Sequence, residues 1–168
     1  MTTLIHGHAR VLGDDINTDL HCSTKYTPGK DTAYAAQHAF ERLTPGYAAR
    51  FQRGDVVVAG RHFGHNSSRE EAAHVLRLMG ASALVAVSCG RQFFRNAVNN
   101  GLPVIECTLD GIQDGDEIEI DLAAGRLTVP ACGIERRFPP LARERQALLA
   151  AGGLIAYLQK HPDWSVAG

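Results

Sequence analysis

The chain has no C-x-x-C pair, no apolar run approaching the roughly 20 residues of a membrane-spanning helix, and no basic stripe. Each absence removes a class of function. Its four cysteines, Cys22, Cys89, Cys107 and Cys132, are widely scattered, which argues against a zinc knuckle or a self-contained iron–sulfur cluster. They read as buried thiols of a reducing compartment. Lys plus Arg number 17 against 18 Asp plus Glu, for a formal net charge of −1 with the signs interspersed. A nucleic-acid partner is therefore not expected. Residues 1–13 hold no continuous apolar core of the kind a secretory leader has, so the expected location is the cytoplasm, with no membrane partner.

What is present fits a soluble globular fold. The 168 residues are 45% apolar and 21% charged, enough to bury a sizeable core in one domain. His8–Leu12 reads as an opening strand and Gly13–Asp19 as a polar turn. A helix is expected over Asp31–Leu43, capped by Asp31, with Ala36, Ala39, Phe40 and Leu43 on its apolar face and Pro45-Gly46 after it. Asp55–Ala59, Ala83–Val87 and Leu102–Ile105 read as buried strands. Between them lie helices near Ser68–Met79, with Ala72, Val75, Leu76 and Met79 on one side, and Arg91–Asn99, with Phe94 and Val98 inward. This rhythm implies right-handed β-α-β units with parallel strands. A hairpin follows over Glu117–Asp121 and Arg126–Val129, then a helical tail over Leu141–Leu149 and Leu154–Gln159, broken at Gly152-Gly153. The expected class is α/β, three-layered, with a mixed sheet.

The most informative segment is Gly60-Arg61-His62-Phe63-Gly64-His65-Asn66-Ser67-Ser68-Arg69-Glu70. It places two hydroxyls and a guanidinium between a strand and a helix start, where free amides and the helix dipole favour an anion. A plainer reading fits equally well: Ser67 and Glu70 have the spacing of a capping box, in which Glu70 reaches back to the Ser67 amide. The two readings do not exclude one another. His62, His65 and His21 invite a metal site, but His62-x-x-His65 lies in a turn and no third ligand has telling spacing. His65 fits better as a substrate-facing donor. Asp14, Asp15 and Asp19 read first as turn residues. No Lys-Ser/Thr ending follows Gly60–Gly64 and no G-x-G-x-x-G follows a strand, so nucleotide binding has little support.

Phe63-Gly64-His65-Asn66-Ser67-Ser68-Arg69-Glu70 resembles the F-G-x-G-S-S-R-E segment of aconitase-type hydro-lyases, and more closely the small-subunit family of the 3-isopropylmalate dehydratases. Gly13-Asp14-Asp15-Ile16-Asn17-Thr18-Asp19, Gly54–Gly60, Arg91–Pro103, Gly115–Asp121 and Ala151–Ile155 resemble further segments of that family in the same order. The resemblance implies one swivelling β/β/α domain over residues 1–168. It also implies a large-subunit partner that carries the [4Fe-4S] cluster, so that this chain alone binds no metal and is inactive. Carried over by position, Ser67 is the general base. Ser68 and Arg69 bind a substrate carboxylate and stabilise the alkoxide, and Thr18 and Asp19 line the site. Lys25 stands where the family has an arginine, in a loop that reads the substituent of the malate. The reaction implied interconverts 2-isopropylmalate and 3-isopropylmalate, small hydroxy-dicarboxylates, by dehydration and rehydration in leucine synthesis.

The sequence departs from the pattern at His65, Asn66, Glu71 and the segment Leu20–Thr27. These departures leave open a related substrate such as dimethylmalate, citramalate or homocitrate. From a different class, a non-catalytic anion-binding domain that kept only the helix-start geometry also stays open.

Overall fold

The computed structural model describes residues 4–66, 68–163 and 165. Its seven strands form one sheet in the order β4-β3-β2-β1-β5-β6-β7, where β1 is Leu4–Val11, β2 Val56–Ala59, β3 Ala83–Ala86, β4 Val104–Glu106, β5 Glu117–Asp121, β6 Arg126–Val129 and β7 Ile134–Arg137. The first four are parallel and the last three antiparallel. The two halves meet in β1. Its first half pairs antiparallel with β5 (Leu4 opposite Asp121, His8 opposite Glu117), and its second half pairs parallel with β2 (Ala9 opposite Val56). Gly7 lies at this switch, where the Gly54 carbonyl leaves no room for a Cβ.

Pleating divides the apolar residues between two cores. Val57, Ala59, Leu84, Ala86 and Val104 face one way, onto α2 (Thr32–Gln37), α4 (Glu71–Met79) and α5 (Arg91–Asn99). Val56, Val58, Ala83, Val85 and Ile105 face the other way, onto Ile118, Ile120, Leu127, Val129 and Phe138. The antiparallel half thus curls over the back of the parallel half, giving the helix, sheet and sheet layers expected. β2 and β3 are buried on both faces, as continuous Val, Leu and Ala runs require. Asp55 ties the base of this layer: it accepts from Arg10 Nε at 2.6 Å, Gln52 N at 2.8 Å and His8 N at 3.3 Å. Burial pushes its carboxyl upward, but these donors outweigh it and the net shift is downward.

Several expected elements differ. The helix expected over Asp31–Leu43 stops at Gln37. Phe40 turns into a left-handed backbone conformation (φ 60°), which drops its ring between Tyr47 and Phe63 at centroid distances of 5.1 and 6.3 Å and leaves Leu43 outside. Core burial overrides helix continuity there. After that turn comes α3 (Tyr47–Arg50). In α5 it is Phe93, not Phe94, that is fully buried; Phe94 lies partly covered beneath the Arg145 guanidinium. In α4 the inward set is Ala72, Ala73, Val75 and Leu76, with Met79 partly buried. The strand expected from Leu102 begins at Val104, as β4, and the charged edge strand β7 joins the expected hairpin. The tail forms α6 (Arg143–Ala151) and α7 (Leu154–Lys160), divided at Gly152-Gly153.

Candidate active site

The loops after β1, β2 and β3 leave the sheet on one edge, at the carboxyl ends of the parallel strands, where open α/β sheets place their ligands. Backbone and side-chain bonds knit the three loops together. Gly60 N donates to Gly13 O, Asp15 N to Arg61 O and Gly64 N to Ile16 O at 2.8–3.1 Å. Asp14 accepts from the Arg61 amide at 2.8 Å and from its guanidinium at 2.9 Å. The amide first, and the guanidinium second, hold the Asp14 carboxyl below its ordinary value. The third loop joins through Ser88, whose hydroxyl accepts from His62 N at 2.9 Å and whose carbonyl accepts from Phe63 N at 3.0 Å.

Within this frame α1 (Thr18–His21) is a single turn of helix whose cap, Asn17, accepts from Asp19 N at 3.1 Å. Asp19 is buried, and its carboxylate lies 2.7 Å from Lys25 Nζ and 3.9 Å from Arg69 Nε. The structure thus brings together three residues that the sequence separates. The hydrogen bond to Asp19 is the main reason Lys25 holds its proton more tightly than a free lysine. Asp19 thus gathers two cations of the kind that bind an anion.

The loop that carries Lys25 has a second anchor. Glu71 Oε1 accepts from Thr24 N at 3.0 Å and from Thr24 Oγ1 at 2.7 Å. Ser23 Oγ donates to the Asp19 carbonyl at 2.8 Å. Glu71 was visible in the sequence only as a departure from the family pattern. Its partnership with Thr24 spans 47 positions and has no local signal.

The remaining expected site residues fall as follows. Ser67 lies outside the described residues. Ser68 is exposed, and its carbonyl accepts from Asn96 Nδ2 at 3.2 Å. Thr18 is fully buried, with a hydroxyl that finds no partner among the described residues. His65 is exposed; its Nδ1 lies 2.7 Å from the His62 carbonyl. A carbonyl only accepts, so that nitrogen carries the hydrogen and Nε2 of the neutral ring is an acceptor. His65 therefore becomes a donor toward a ligand only when protonated.

Of the expected capping box, the Ser67 half lies outside the described residues, and the Glu70 half does not form. α4 begins at Glu71, its cap position is Glu70, and no side chain caps it. The Glu70 carboxylate accepts instead from Asn100 Nδ2 at 2.8 Å, which draws it toward the end of α5. The first helical residue is thus Glu71, and the dipole contribution of a helix fades within one turn of its start.

Among the described residues, no group of three His, Cys, Asp or Glu side chains could hold a metal ion. Cys22 is fully buried, and burial raises its thiol pKa strongly. No described helix is long and apolar enough to cross a membrane.

Residues 14–108 match the model of the aconitase C-terminal domain. The chain belongs to that family. The matched span runs from the first site loop to just beyond β4 and so covers β2, β3 and β4 with the loops beside them. Relatives extend the family likeness over the antiparallel half. The chain is 40% identical to 3-isopropylmalate dehydratase small subunit 2 of Archaeoglobus fulgidus, covering 94% of this chain and 96% of that one. It is 37% identical to the methanogen homoaconitase small subunit of Methanothermobacter thermautotrophicus, covering 100% and 98%. The crystal structure of 3-isopropylmalate dehydratase from Methanocaldococcus jannaschii superimposes with a TM-score of 0.86 at 35% identity, covering 95% of each chain. That structure shares the mixed, curled sheet, and the site loops of this chain fall inside the matched span.

Proposed function

We propose that this chain is the small subunit of a two-component hydro-lyase that interconverts 2-isopropylmalate and 3-isopropylmalate, a step of leucine synthesis in the cytoplasm. The observation that carries this reading is the Asp19 carboxylate set between Lys25 and Arg69 in a chain of this family.

The roles follow from the chemistry of the residues. Lys25, Arg69 and Ser68 bind substrate carboxylate, with Asp19 fixing the two cations. Ser67 takes the proton from the carbon next to that carboxylate and returns it on rehydration. A serine hydroxyl is a weak acid, and a nearby guanidinium in a water-poor site shifts a pKa by about 1–3 units. In this reading Arg69 is the cation that this chain offers the alkoxide, and the base forms only in the closed complex. The large subunit carries the [4Fe-4S] cluster in this reading, and its Lewis-acid chemistry acts on the hydroxyl that leaves.

A second reading is favoured by the polar loop. Thr24, Lys25 and Thr27 line the segment that reads the substituent, and the homoaconitase small subunit is nearly as similar as the dehydratase subunits. A malate with a polar or charged substituent fits those residues. Reconstitution with a cluster-bearing large subunit decides between the two. Wild type should show dehydratase activity on one class of substituted malate, and Ser67→Ala should abolish it while leaving the melting temperature unchanged. Full activity in Ser67→Ala would remove the base assignment.

A further inference from the structure

Two residues of the site edge, Asp15 (φ 57°) and His62 (φ 61°), hold left-handed backbone conformations without being glycine, and their side chains meet, His62 Nδ1 lying 2.8 Å from Asp15 Oδ1. Both side chains are largely exposed, at 58% for His62 and 68% for Asp15. An exposed pair contributes little stability, while left-handed backbone at two non-glycine positions is unfavourable. Fold stability does not account for the arrangement.

The hydrogen-bond pattern indicates what it prepares. The Asp15 carboxylate can only accept, so His62 Nδ1 carries the hydrogen. His65 Nδ1 is likewise spent, on the His62 carbonyl at 2.7 Å. The two rings stand edge to face with centroids 5.8 Å apart. Each thus has one nitrogen fixed by a protein acceptor and the other, Nε2, uncommitted. This is how imidazoles are oriented when the second nitrogen meets a ligand. Among the described residues these rings belong to no group of three His, Cys, Asp or Glu side chains that could hold a metal ion. Two adjacent imidazoliums would instead offer two neighbouring charged donors, one to each oxygen of a carboxylate.

We propose that His62 and His65 form a carboxylate-recognition pair on the turn that leads to Ser67, with Asp15 as the positioning residue for His62. The charged groups facing the pair are Asp15 and Asp14 from the first loop and Arg61 from its own loop. Asp14 is already paired with Arg61. The anion bound would be one carboxylate of the substrate, which rests on the hydro-lyase reading, or a free carboxylate at the same donors.

Two measurements test this. Imidazole nitrogen and carbon resonances of the full chain should show both rings protonated at Nδ1 when neutral. On addition of succinate, His62 and His65 should shift together and retain their second proton to higher pH, while the exposed His74 and the half-buried His161 do not respond. Equal shifts at all four, or none at the first two, would overturn the proposal. So would Zn²⁺ alone perturbing both rings when succinate does not. In the reconstituted complex, His62→Asn and His65→Asn keep an amide donor in place of Nδ1–H and tolerate the turn, but lose Nε2. Each should raise KM about tenfold, the equivalent of one charge-assisted hydrogen bond, with little change in kcat. Each should also flatten the rise of KM as pH increases and the rings lose their protons. Asp15→Asn should raise KM by less. An unchanged KM in His62→Asn, with Ser67→Ala inactive, defeats the pair and leaves the hydro-lyase reading intact. If the complex acts on no substituted malate, that reading falls and the resonance titration still decides the pair.

Discussion

Replacing Phe63 with alanine tests whether the site turn is held mainly by its one apolar anchor. Phe63 is fully buried between two polar, exposed neighbourhoods, with ring partners Phe93 at 5.1 Å and Phe40 at 6.3 Å. Deleting a fully buried phenylalanine costs about 3–5 kcal/mol through lost transfer energy and the cavity left behind. The two ring pairs contribute about 0.5–1.5 kcal/mol each beyond area, which places the loss toward the upper end of that range. For a chain of this size that is a fall in Tm of about 6–20 °C. Phe94→Ala is the control, because its ring is only partly buried and should cost less than half as much. Urea denaturation followed by far-UV circular dichroism gives both values, and an unchanged m identifies a stability change rather than a new denatured state. Equal losses in the two variants, or a loss below about 2 kcal/mol in Phe63→Ala, would refute the assignment of Phe63 as anchor.

Three shorter predictions concern the surroundings of the site. Glu71→Ala should free the loop that carries Lys25 and raise the substrate KM up to about tenfold, whereas Glu71→Gln, which keeps one acceptor for Thr24, should do so less; equal effects would show that the charge alone matters. Asp55 has a folded-state pKa below its unfolded value, so its contribution is present above the unfolded value and lost as pH falls through the folded one. Asp55→Asn should lower stability at neutral pH and flatten the acid limb of a stability–pH profile, and an unchanged acid limb would count against the clamp. Burial pushes the thiols of Cys89 and Cys107 up to about 12 and about 11, so at pH 8 iodoacetamide followed by mass spectrometry should find the exposed Cys132 modified first.

Much of the parallel half was legible because it is buried. Val56–Ala59 and Ala83–Ala86 admit no other reading once both faces must be apolar, and the alternation of Glu117–Asp121 marks a strand with one wet face. What escaped was decided across the fold. Phe40 leaves its helix because Tyr47 and Phe63 offer it a core. Glu70 abandons a well-spaced cap because Asn100 lies within reach. β7, with Glu135, Arg136 and Arg137, carries the charge of an edge strand and no apolar period. For the site, family resemblance picked out Asp19, Lys25 and Arg69, and the structure brings them together. It did not reveal Glu71 beneath Thr24 or the Asp15–His62 pair, since both join residues 47 positions apart.

The divided pairing of β1 also sets an order of assembly. β2, β3 and β4 are joined by short β-α-β connections and can associate among themselves early. The first half of β1 must wait for a partner at the far end of the chain, Leu4 opposite Asp121. Such distant closures are slow, because loop entropy must be overcome before any contact is gained. During synthesis the parallel sheet would therefore stand for a time with its β1 edge half-finished, open to pairing with another chain. Crowding at that stage, rather than any weakness of the finished core, is where this protein would first aggregate.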